Sequence, residues 1–148
     1  MKVAVITAML LTGAGRIMLG QATSVKVSGS PLPLAVQAAT AGALPNADLD
    51  NSTTYTIKNA GGSPMKLTAQ LSAPMPADVT LTATFGANNG AVSVGSVILD
   101  ATARDVVTGL SANKNISGAI TYTLTATPAA GVVPAQTRTV TLTLVSSP

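Results

Sequence analysis

The sequence predicts an all-β protein built from two packed antiparallel sheets, and three observations carry that expectation. Apolar residues alternate with threonine in short runs, turn-forming residues separate the runs, and no segment after Ala22 repeats with a helical period. Successive side chains of a strand point to opposite faces, so a strand half-buried against a core shows this two-residue period. Threonine and valine are also stiff at Cβ and pack well on a pleated surface, which makes each Thr-x-Thr run a statement of strand propensity.

The strongest runs follow one another along the chain. Tyr55 and Ile57 alternate with Thr54, Thr56 and Lys58, and Leu67, Ala69 and Leu71 with Lys66, Thr68 and Gln70. Val79, Leu81, Ala83 and Phe85 alternate with Thr80, Thr82 and Thr84. Ile120, Tyr122, Leu124 and Ala126 are set against Thr121, Thr123, Thr125 and Thr127, and Val140, Leu142 and Leu144 against Thr139, Thr141 and Thr143. In each, the apolar set is expected inside and the threonines outside. Weaker strands are expected over 25–28, 32–37, 92–99 and 106–110. Turns are expected at 59–64, 74–76, 86–90 and 128–134, where Gly, Pro and Asn cluster. Roughly seven to nine short strands at this spacing predict an immunoglobulin-like β-sandwich.

The N-terminus predicts export. Lys2 supplies a positive start, residues 3–13 an apolar stretch, and Gly20 and Ala22 the small residues before a cleavage site between Ala22 and Thr23. Arg16 interrupts the apolar stretch short of the roughly 20 residues a spanning helix needs, so no stable membrane span is expected in the processed chain. Residues 1–22 are therefore read as a signal peptide. Removing Lys2 and Arg16 leaves six basic residues against five aspartates, scattered along the chain, which argues against nucleic acid as a partner.

Several chemistries are out of reach. The chain has no His and no Cys, hence no usual general base, thiol nucleophile, zinc ligand set or disulfide. Neither a catalytic activity nor a cofactor or metal is expected. Asp48 and Asp50 are the one close acidic pair, and they read as a solvated loop ahead of a strand at Thr53. They lack the Gly and bidentate acid of a calcium loop. Aromatics make up 2% of the chain, too few for a stacking platform. The Asn51-Ser52-Thr53 and Asn115-Ile116-Ser117 triplets match the glycosylation pattern, which a Ser/Thr-rich chain produces by chance. A threonine ladder that orders water would also fit the runs, yet any exposed face of a low-charge sandwich looks the same.

Residues 23–34, Thr-Ser-Val-Lys-Val-Ser-Gly-Ser-Pro-Leu-Pro-Leu, form an alternating segment, a proline break and a second apolar segment, with Ala43-Leu44-Pro45 following. Near the other end, Ala126-Thr127-Pro128 closes one strand before a Gly/Pro-rich loop and a last alternating strand. This arrangement resembles the major pilins of the alpha-class, colonization-factor type of chaperone-usher fimbriae. The resemblance implies a structural subunit carried to the cell surface through the periplasm, with further copies of itself, a periplasmic chaperone, an outer-membrane usher and a tip adhesin as partners.

It also implies donor-strand exchange, in which each subunit's sandwich lacks a strand that the next subunit's N-terminal extension supplies. On this sequence the extension is residues 23–33 and the domain 34–148. Val25, Val27 and Gly29 would be donor residues, and Val140, Leu142 and Leu144 would line the acceptor groove. Two alternatives stay open: residues 25–28 pair within their own sandwich, and the chain is a monomeric secreted binding or adhesion module.

Overall fold

The computed structural model describes residues 5–9, 23–37, 43–59, 63–112 and 114–147. Ala22, on one side of the expected cleavage site, and positions 60–62 of the first expected turn lie outside them. Strands in chain order are β1 (Val5–Met9), β2 (Ser24–Ser28), β3 (Asp48–Asn59), β4 (Met65–Leu71), β5 (Val79–Phe85), β6 (Val92–Ser93), β7 (Ser96–Ile98), β8 (Arg104–Leu110), β9 (Lys114–Ala126) and β10 (Thr137–Ser146). One 3-10 turn, Pro128–Ala130, lies in the Gly/Pro-rich loop.

The strands form two five-stranded sheets, ordered β1-β10-β4-β8-β6 and β2-β3-β9-β5-β7. Every ladder is antiparallel except β1 on β10, which is parallel. From β3 to β4 to β5, and from β8 to β9 to β10, each strand lies in the opposite sheet to the one before it. Consecutive alternating segments therefore face each other across one core, which is the expected all-β sandwich of two sheets.

The inward set is the one the alternation names. Tyr55 and Ile57, Leu67 and Leu71, Leu81 and Phe85, Ile120, Tyr122 and Leu124, and Val140 and Leu142 are all buried in a single cluster drawn from both sheets. Two threonines break the rule of threonine outward, since Thr53 and Thr68 are buried as well. Thr68 Oγ1 donates to the Thr143 carbonyl at 3.2 Å, which satisfies its hydroxyl inside the sheet.

Three local expectations are corrected. Residues 32–37 form no strand: Pro31 and Pro33 deny ladder donors, and the Ala35 N–H donates to Asp48 Oδ2 at 2.7 Å instead. Leu34 and Val36 are nonetheless buried in the core. Residues 92–99 give two short strands on different sheets, because the chain turns at Gly95, where φ is +91°. Asp48 and Asp50 lie inside β3 rather than in a solvated loop, and Asp50 is buried beside a register shift between Asp50 and Thr53.

The two tyrosines differ in how their hydroxyls are met. Tyr55 packs edge-on against Phe85, ring centroids 5.7 Å apart, and its hydroxyl donates to the Gly86 carbonyl at 2.6 Å. Tyr122, directly opposite Asp50 on the neighbouring strand, has a buried hydroxyl with no hydrogen-bond partner among the described residues. Replacing Tyr55 with phenylalanine is expected to cost about 1 kcal/mol or more, because it also leaves the Gly86 carbonyl unpaired. The same change at Tyr122 should be neutral or stabilising, since it removes a desolvated group that gains nothing. Denaturant unfolding of the two variants checks the contrast.

Candidate strand-accepting edge

β10 joins the core to a sheet margin. Val140 and Leu142 point inward and are buried, Leu144 is half-buried against the same cluster, and Thr143 is exposed. On one side β10 pairs with β4 over its last seven residues, from Val140 opposite Leu71 to Ser146 opposite Met65. The Ser72 N–H extends that ladder by donating to the Thr139 carbonyl at 2.9 Å.

On the other side, among the described strands, it pairs with β1, in parallel, from Val5 opposite Thr137 to Met9 opposite Thr141. A strand whose side chains lie in the core thus has its outer backbone covered by a segment from within the expected signal peptide. Beyond Thr141 no described strand pairs with that side. An open margin of this kind presents unpaired N–H and C=O groups to any chain able to pair with them.

Little charge bears on this margin. Arg138 sits near its start, held by the carbonyls of Pro74 and Thr137, each 3.1 Å away, and by Gln136 Oε1. On the far side of β4, Lys66 pairs with Asp105 on β8 at 2.9 Å. Further along the same sheet Arg104 pairs with Asp100, whose carboxyl is held below its ordinary range by the Arg104 hydrogen bond and by the Thr102 N–H. The Lys66 and Arg104 charges are thus met by carboxylates, and Arg138 by neutral acceptors.

The donor residues named from the sequence are placed elsewhere. β2 pairs with β3 of its own chain, Val25 opposite Ile57 and Val27 opposite Tyr55, and both valines are half-buried against the core. Gly29 closes the segment with φ at +85°, and a Cβ there would lie 2.5 Å from the Ser52 carbonyl oxygen. The Ser52 hydroxyl lies 3.0 Å from the Ser30 carbonyl, fastening the same corner. Thr23, on the described side of the expected cleavage site, directly precedes β2. The structure therefore brings Val140, Leu142 and Leu144 together on one strand and sets Val25 and Val27 on the other sheet, with Gly29 in the bend that follows them.

Asp48 proves to be a tether. Its two carboxylate oxygens accept from the Ala35 and Leu49 N–H groups, at 2.7 and 3.0 Å, pinning the irregular stretch after β2 to β3. Asp50 accepts from the Ser52 hydroxyl at 3.0 Å. The sequence signal was available in the Asp-Leu-Asp alternation, which is a strand pattern with its polar set facing in. Among the described residues no three acidic side chains gather as metal ligands, and no helix is long and apolar enough to cross a membrane. No protein-family model matches the chain, and no curated protein does.

Proposed function

We propose that this chain is the structural subunit of a surface fimbria, exported with loss of residues 1–22 and assembled by strand complementation at the outer edge of β10. One observation carries the reading: among the described residues, the strand on that edge comes from the segment expected to be removed. Without it, β10 keeps Val140 and Leu142 in the core while its backbone lies open on one side. An added alternating strand satisfies both needs at once. The resemblance of residues 23–34 to the extension of alpha-class pilins supports the same reading. It brings a periplasmic chaperone, an outer-membrane usher and a tip adhesin with it as proposed partners.

In this reading the donor is residues 23–31 of the neighbouring subunit, which must first leave β3. The loss is a five-residue ladder and two half-buried valines, and burial of each valine in the neighbour's groove returns roughly 1.5–3 kcal/mol. Because donor and acceptor sit on one molecule, the contact is heterologous and propagates as an open filament.

The test is electron microscopy of cells whose sole subunit carries Val25→Asp and Val27→Asp, alongside the milder pair Val25→Thr and Val27→Thr. Folded monomer without fibres is the expected outcome for the first, and shortened fibres for the second. Fibres of normal length from the Asp variant overturn the donor assignment. A second reading, a monomeric secreted binding or adhesion module, is favoured by the pairing of β2 with its own β3. Size-exclusion chromatography with and without residues 23–31 separates the two, since only the polymer reading expects the deletion to abolish higher-order species.

A further inference from the structure

We infer that Val5–Met9 acts as an intramolecular cover for the accepting edge, so that a chain retaining residues 1–22 is closed to donor strands. The inference rests on the proposed acceptor role of β10 and adds a regulation to it. The same removal of the N-terminal segment that accompanies export would open the edge.

The geometry is explicit at the level of the backbone. β1 runs parallel to β10 in continuous register over five pairs, and Val140, the most deeply buried of the proposed groove residues, is the partner of Ala8. A donor strand that spans the groove needs the same backbone groups of Thr137–Thr141 that β1 already occupies. Both cannot pair with one edge, because only alternate residues of a strand turn their N–H and C=O to a given side, and each of those groups serves one ladder.

Tethering decides the competition. A segment on the same chain acts at an effective concentration in the millimolar range for a connector of moderate length. A donor arriving from solution at micromolar concentration is disfavoured by roughly a hundredfold or more. A covered chain therefore stays monomeric until the segment is cut away. After the cut, the tether is gone and the released segment has no such advantage.

The experiment compares the full chain from Met1 with the same full chain carrying Ile6→Pro and Thr7→Pro. Proline at adjacent positions removes a ladder donor whichever of the two residues pairs toward β10. Two readouts are taken: hydrogen exchange of the β10 amides, and binding of a labelled synthetic peptide of residues 23–31. Faster exchange over 137–141 in the proline variant, with peptide binding at least about a hundredfold tighter than in the unaltered chain, is the expected result. Equal exchange with equal binding overturns the cover and leaves the acceptor reading standing. Faster exchange with binding in neither form upholds the cover and overturns the donor assignment. Equal exchange with no binding in either form overturns both.

Discussion

Replacing Gly118 with alanine is expected to lower the unfolding temperature by roughly 10 °C or more, a loss on the order of 3 kcal/mol. The cause is a close approach of two backbones. A Cβ at Gly118 would lie 2.0 Å from the Gly86 carbonyl oxygen, 2.6 Å from its carbon and 3.1 Å from its Cα. Gly86 cannot retreat, because its N–H donates to the Ala119 carbonyl at 2.9 Å and its own carbonyl accepts the Tyr55 hydroxyl at 2.6 Å.

Gly118 is the β9 residue opposite Tyr55, so the tyrosine lies across a position with no side chain to reach Gly86 beyond it. Alanine at 118 must push β9 and the end of β5 apart, breaking one or both of these bonds while adding strain. The control is Gly86→Ala, whose nearest contact would be an ordinary 3.5 Å; it should cost less than about 1 kcal/mol. Thermal unfolding of both variants decides the matter, and equal losses would show that the close approach is not the cause.

The second large effect is expected at alkaline pH. Burial pushes the Tyr55 phenol from its ordinary 10.0 up to about 12, and burial followed by the Asp50 charge pushes Tyr122 up as well. A phenol raised in the folded state favours folding while it stays neutral. The contribution is complete below about pH 10 and is lost as pH climbs through 12. For Tyr55 the rise corresponds to roughly 2–3 kcal/mol, and Tyr122 adds to it in the same direction.

Since the chain has two tyrosines and both are core residues, tyrosinate absorbance should stay low past pH 10 and then appear in one step with loss of β-sheet signal. Gradual ionisation near pH 10 without unfolding would contradict it. At the acid end Asp100 works the other way. Its lowered carboxyl stabilises above the ordinary 3.8 and loses that contribution as pH falls through its folded value. The group is open to solvent on one side, so its effect is small.

Most of the sandwich was legible because burial on one face writes itself into the sequence with period two. Tyr55/Ile57, Leu67/Leu71, Leu81/Phe85 and Ile120/Tyr122/Leu124 each needed only that period. It failed where backbone pairing and apolar pattern part company. Leu34 and Val36 are buried like strand residues, yet the prolines beside them leave no ladder to join. Over 92–99 the apolar spacing continues through Gly95 while the chain changes sheet.

The candidate edge was half legible. Val140 and Leu142 could be named as core-facing, but a periodic pattern says which face is buried and not which neighbour supplies the next strand. For the same reason Val25 and Val27 could be named as an apolar pair without fixing whether β3 or another subunit receives them. Val5–Met9 was hidden differently, since an apolar run suited to a signal peptide is also suited to a strand.

The sheet margins farthest from β1 and β2 have a geometric consequence. β6 and β7 are two and three residues long, so a chain laid along either would form very few backbone bonds, even though Val92, Val94 and Ile98 leave apolar surface exposed nearby. The molecule is thus blunt on one flank, and contacts there rest on side chains without a ladder to align them. In the proposed assembly, subunits that join along one flank and cannot template on the other would form threads rather than slabs. Neighbouring threads would slide past one another without setting a common register.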